Sequence, residues 1–128
     1  MNAAYMDTSW AVAVAFGEAG HEELVERLGK FDGVYACNLL EAEFWSAFAR
    51  EGVTRDPALL ASVHWILPDR PLTPEIARAL EAGYLRGADL WHVACALFLA
   101  EEPSGLTFLT LDASQGEVAR RLGFADEG

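Results

Sequence analysis

Basic side chains are scarce in this chain. Nine Lys and Arg stand against 20 Asp and Glu, a formal net charge of −11, and Lys30 is the only lysine. Loose, nonspecific attachment to nucleic acid needs a positive footprint, so the balance argues against that class. It suits a metal-binding site, a basic partner protein or simply a solvated acidic surface. Long apolar runs are also missing: charge or glycine breaks each one before about 18 residues, which excludes a transmembrane helix. The start, Met1-Asn2-Ala3-Ala4-Tyr5-Met6-Asp7, has neither the basic opening nor the long apolar stretch of a signal peptide, so the expected location is the cytoplasm. Cysteine is limited to Cys37 and Cys95, far apart and without a CxxC partner. That excludes a zinc site of ordinary spacing and leaves two buried, reduced thiols as the expectation.

What is present is a chain of 128 residues with 52% hydrophobic content, read as one globular domain over 1–128. Apolar strands are expected at Ala3-Ala4-Tyr5-Met6, Gly33-Val34-Tyr35-Ala36-Cys37 and Leu106-Thr107-Phe108-Leu109-Thr110-Leu111. Between them, helical spacing predicts helices over 9–16, 21–29 and 38–51. A further helix is expected over 57–66, with Asp56 as N-cap and Pro57 at its first position. Residues 67–72 read as a turn or short edge strand. Thr73-Pro74-Glu75 opens another helix as cap, proline and first-turn acid; an apolar helix over 88–100 and a terminal helix over 113–122 complete the chain. Short apolar strands alternating with helices argue for an α/β fold with a parallel sheet covered on both faces. The expected architecture has three layers, α/β/α, around four to five strands.

Four acids, Asp7, Glu43, Asp89 and Asp112, stand where apolar segments meet a turn or helix. Carboxylates brought together in apolar surroundings repel one another unless a cation neutralises them. Their hard oxygens suit Mg²⁺ or Mn²⁺. Asp7 and Asp112 each follow a strand, where ligands collect in parallel sheets, and each also fits the plain role of N-cap. Glu41 and Glu43 compete for one role. Glu41 has capping-box spacing in Asn38-Leu39-Leu40-Glu41, whereas Glu43 has no such local task and borders the apolar stripe, which favours Glu43. Asp89 either complements a helix dipole or faces the site among Leu90, Trp91, Val93 and Ala94. Thr8, Ser9 and Thr110 flank the acids and could orient a carboxylate or only cap and turn the chain. His92, three residues after Asp89, reads as a structural hydrogen-bonder more readily than as a catalyst. His21 and His64 read as surface residues, and the four tryptophans as core, with Trp10 and Trp45 alternatively available to a protein interface.

These segments together resemble the PIN-domain family. Asp7-Thr8-Ser9 after the first strand is similar to its opening signature, and Ala36-Cys37-Asn38-Leu39-Leu40-Glu41-Ala42-Glu43-Phe44, trailing to Arg50, to the segment with the second acid. Leu85-Arg86-Gly87-Ala88-Asp89-Leu90-Trp91-His92-Val93-Ala94 is similar to the third motif. Phe108-Leu109-Thr110-Leu111-Asp112, with Ala119-Arg120-Arg121-Leu122-Gly123-Phe124, is similar to the fourth motif and the C-terminal end. Cys37 departs from the small hydroxyl residue common in the family. In size the chain is nearest to the VapC-type toxins of toxin–antitoxin pairs. That resemblance implies a ribonuclease dependent on Mg²⁺ or Mn²⁺, held by Asp7, Glu43, Asp89 and Asp112, usually a homodimer and silenced by a small antitoxin. Arg50, Arg55, Arg86, Arg120 and Arg121 are the cations available to an RNA rim. The alternative is a PIN-like scaffold that binds a protein partner without cleaving RNA. Other small α/β classes fit worse. A receiver domain needs a lysine near its last strands, a haloacid-dehalogenase-like phosphatase an Asp-x-Asp after strand one, and a nucleotide-fold oxidoreductase a glycine fingerprint there.

Overall fold

The computed structural model describes residues 2–125; Met1 and residues 126–128 lie outside the described residues. Ten elements alternate along the chain: β1 Ala3–Met6, α1 Thr8–Ala15, α2 His21–Leu28, β2 Gly33–Cys37, α3 Asn38–Glu51, β3 His64–Ile66, α4 Thr73–Ala82, α5 Gly87–Leu99, β4 Leu106–Leu109 and α6 Ala113–Leu122. The four strands are all parallel, in the order β3-β2-β1-β4.

Alternation along each strand builds the two cores. From β1, Ala4 and Met6 point into a cluster with Trp10, Leu24, Leu40, Phe44 and Phe48, contributed by α1, α2 and α3. Tyr5 points the other way, into a cluster with Ala79, Val93, Leu97 and Val118 from α4, α5 and α6. Phe108 and Leu109 of β4 divide in the same manner. Both faces of the sheet are therefore covered, and the fold has the three expected layers. Helix α3 spans the expected residues and ends at Gly52, whose φ of 67° is the left-handed turn that glycine adopts without steric cost.

Several expectations need correction. Residues 57–66 do not form a helix. A single 3₁₀ turn at Leu60–Ser62 leads into β3 at His64–Ile66. Trp65 and Ile66 pack on opposite faces of the sheet, and this period of two outweighs the helix-like Ala58-Leu59-Leu60-Ala61 run. Asp56 accepts from the Ala58 N–H at 3.0 Å, closing a turn and not a helix. The edge strand is thus β3, and 67–72 is irregular. β4 stops at Leu109, because the Leu111 N–H is taken by Ser9 Oγ at 3.0 Å and leaves the ladder direction. The capping box of Asn38 and Glu41 does not form: Cys37 is the N-cap of α3, with no side-chain cap bond, and Glu41 is exposed. Likewise Leu72, not Thr73, holds the N-cap position of α4.

The strand order fixes where a site can form. The chain leaves β1 for β2 on one side and returns beside it as β4 on the other, so β1 and β4 flank a switch point where their following segments diverge. In parallel sheets ligands gather at the carboxyl ends of the strands beside such a point. Asp7 follows β1 and Asp112 follows β4 by three residues.

Candidate functional site

Asp7 is buried to 4% exposure, although it carries a carboxylate. It is the N-cap of α1 and accepts from the Ser9 N–H (3.1 Å) and Ser9 Oγ (2.7 Å) through Oδ2. Its Oδ1 accepts from Gln115 Nε2 at 3.2 Å. Gln115 is fully buried, and the same amide nitrogen donates to the Asp89 carbonyl at 3.2 Å. Its backbone N–H donates to Asp112 Oδ1 at 2.8 Å, which makes Asp112 the N-cap of α6. Thr110 completes the knot, donating to Gln115 Oε1 at 2.6 Å and accepting from the Asp112 N–H at 3.1 Å. One glutamine side chain therefore ties together the segments that carry Asp7, Asp89 and Asp112.

His92 is the second hub. It is 1% exposed on α5, and its Nε2 lies 2.8 Å from Glu43 Oε1 and 3.7 Å from Asp7 Oδ1. Its Nδ1 lies 2.7 Å from the Oη of Tyr5, a fully buried β1 residue, and 3.5 Å from Cys37 Sγ. Thr8 Oγ1 donates to Glu43 Oε1 at 2.7 Å. Glu43 is only partly buried, and these two donors fix its carboxylate. Glu41, exposed on the same helix, has no part in this arrangement.

The charges respond accordingly. Burial raises the Asp89 carboxyl, Asp112 and then Asp7 raise it further, and Arg86 and His92 act against them. Glu43 is lowered, first by the His92 hydrogen bond, against burial, and then by Thr8. Burial pulls His92 down, but Cys37, Glu43 and Asp7 outweigh it and push the imidazole up to about 10. The Cys37 thiol is lowered, chiefly by a hydrogen bond from Cys95. Both cysteines are buried and unbridged, as expected.

The donor chemistry suits a hard cation, since carboxylate oxygens are the ligands such ions prefer. Among the described residues, however, no three acidic, histidine or cysteine side chains are gathered tightly enough to hold one. Hydrogen bonds through Gln115 tie the segments of Asp7, Asp89 and Asp112 together at the carboxyl end of the sheet. A hollow of about 440 Å³ opens beside Glu43, lined also by Thr8, Ser9, Arg50 and Leu111 among others. Arg50 is the basic residue of that lining, and Arg86 is the one that acts on Asp89. No helix among the described residues is long and apolar enough to cross a membrane.

Two participants carried little sequence signal. His92 read as structural, and Gln115 only as part of a capping pattern; both act through partners far away in the chain.

A family model for the PIN domain matches residues 4–121. The chain therefore belongs to the PIN domain family. Members of this family are generally nucleases that act on phosphodiester bonds and need metal ions. No curated protein matches the chain.

Proposed function

We propose that this protein is a metal-dependent endoribonuclease that hydrolyses RNA phosphodiester bonds, and that it is the toxin of a toxin–antitoxin pair. The observation that carries the reading is the meeting of Asp7, Asp89 and Asp112 at the switch point, where Asp112 and Asp7 raise the Asp89 carboxyl. Asp7 and Asp112 also cap helices, but carboxylates brought together at one place repel one another unless a cation or a cationic ligand joins them.

Asp7, Asp89 and Asp112 would hold Mg²⁺ or Mn²⁺, with Glu43 a ligand directly or through water. When bound, such an ion supplies Lewis acidity toward the phosphate and brings the ionisation of water near neutral pH. The chain's own groups do the rest. Ser9 and Gln115 hold both oxygens of Asp7, so its geometry is set before substrate arrives. Glu43, lowered by His92 and Thr8, stays ionised at neutral pH and can accept a proton from water. Arg50, on the hollow beside Glu43, is placed to take a substrate phosphate.

The toxin assignment draws on size and charge. A net charge of −11 suits a small basic antitoxin segment. Leu80, 44% exposed, and Tyr84, 81% exposed, offer apolar surface at the end of α4 to a second copy of the chain. The direct test is Mn²⁺ titration by calorimetry. Wild type should bind, and Asp7→Asn should keep its fold and lose most of the affinity. Equal affinity in the two proteins would remove Asp7 from the site.

A further inference from the structure

We propose that His92 is a positioning residue. A buried chain of hydrogen bonds from Tyr5 through His92 to Glu43 sets the Glu43 carboxylate at the carboxyl end of the sheet. The inference deepens the nuclease reading above and rests on it for its functional meaning, but the chain of contacts is a property of the metal-free protein.

The geometry is continuous. Tyr5 Oη lies 2.7 Å from His92 Nδ1, and His92 Nε2 lies 2.8 Å from Glu43 Oε1. The ring is held edge-on to Tyr5, with centroids 5.9 Å apart and planes at 73°. Tyr5 is itself clamped by stacking on Phe108 at 5.2 Å, so the rear of the chain is anchored in the α4–α6 core. The Cys37 N–H approaches Tyr5 Oη at 3.4 Å, which ties the same oxygen to the end of β2. From this fixed base the imidazole directs one N–H out of the core at a carboxylate that is one-third exposed.

A role in stability alone explains this poorly. Burying a polar tyrosine–histidine pair among Val93, Ala94 and Leu97 costs desolvation that an apolar side chain of similar volume would avoid. Tying the buried imidazole to a one-third-exposed glutamate offsets part of that cost, but takes from the carboxylate its water and its rotamer freedom. What the arrangement does achieve is direction: Glu43 comes from α3, on the opposite face of the sheet from α5, and the His92 Nε2 that holds its oxygen at 2.8 Å also lies 3.7 Å from Asp7 Oδ1. Groups of this kind orient ligating carboxylates, and removing them commonly costs about 10–100-fold in metal affinity or activity.

The test compares three variants of the full chain. His92→Leu removes the donor. His92→Gln keeps an N–H near the Nε2 position. Tyr5→Phe removes the anchor behind the ring. The readouts are Mn²⁺ affinity, from the electron paramagnetic resonance of the free ion, and kcat and KM on RNA. His92→Leu should lose about 10–100-fold in both affinity and kcat with KM for RNA within about twofold, Tyr5→Phe should lose less, and His92→Gln should recover most of the loss. If His92→Leu does not fold, His92→Gln against Tyr5→Phe carries the comparison. Equal affinity and kcat in His92→Leu and His92→Gln, or wild-type values in both Tyr5→Phe and His92→Leu, would overturn the proposal.

A second measurement does not depend on nuclease activity. In EDTA-treated protein, ¹⁵N-edited NMR of the histidine rings should show a hydrogen-bonded His92 Nε2–H that shifts on Glu43→Gln. A resonance unmoved by Glu43→Gln overturns the positioning role. If the resonance moves but the protein neither binds Mn²⁺ nor cleaves RNA, the nuclease reading fails and the geometric claim stands.

Discussion

Gln115 Nε2 donates to Asp7 Oδ1 across 108 residues of sequence, at 3.2 Å in a fully buried position. The same nitrogen reaches the Asp89 carbonyl, and the Gln115 backbone N–H caps onto Asp112. The side-chain amide thus ties the Asp7 and Asp89 segments together, and the backbone N–H of the same residue holds Asp112. Gln115→Leu fills the space but leaves the Asp7 and Asp89 acceptors without it. The expected loss is about 1–3 kcal/mol in urea unfolding, the usual cost of orphaning buried polar groups, together with a marked fall in cleavage. Unchanged stability and activity would show that Gln115 holds nothing in place.

Asp89 should behave in the opposite way toward stability. Burial and the neighbouring carboxylates raise its pKa, so the folded metal-free protein disfavours its charge. A carboxyl raised on folding weakens the fold at neutral pH, and the weakening disappears as pH falls through the folded value toward the unfolded one. Asp89→Asn should therefore leave the Tm in EDTA equal to wild type or a few degrees above it, while abolishing the rise in Tm that Mn²⁺ gives wild type. A Tm well below wild type in EDTA would contradict this.

His92 gives the pH dependence. Its imidazole is raised on folding to about 10 from an ordinary value of 6.5. The contribution to stability is then complete below about 6.5 and is lost as pH rises toward 10, and each pKa unit is worth about 1.4 kcal/mol. In EDTA, the unfolding free energy of wild type should decline between pH 7 and 10 relative to that of His92→Gln, the comparison being needed because the lowered Cys37 thiol contributes with the opposite sign. The same slope in wild type and variant would place the titration elsewhere.

Arg50 lies on the hollow beside Thr8, Ser9 and Glu43, and its ion pair with Glu51 is exposed and weak. Arg50→Ala should raise KM for RNA several-fold with little change in kcat, and reduce the salt dependence of binding by about one phosphate contact. A pure kcat effect would instead put Arg50 in the chemistry.

The strands β1 and β2 and helix α3 were legible because their signals are local: apolar runs, a switch of period and a terminal glycine. β3 was not, because the run before it looks helical, and only pairing with β2 makes the alternation of Trp65 and Ile66 decisive. The strand-end acids stood out because a carboxylate after an apolar run is unusual in itself. His92 and Gln115 were illegible as hubs because their partners, Glu43 and Asp7, lie 49 and 108 residues away. A hydrogen bond at that separation has no trace in spacing. The preference for Glu43 over Glu41 rested on a capping box that does not form, yet Glu43 is the residue His92 and Thr8 contact.

The most direct test incubates purified protein, free of any antitoxin, with labelled structured RNA in Mg²⁺, Mn²⁺ or EDTA, beside Asp89→Asn. The account predicts cleavage that requires the metal and disappears in EDTA and in the variant. Folded wild-type protein that binds neither metal and leaves RNA intact, or cleavage that persists in Asp89→Asn, would contradict it.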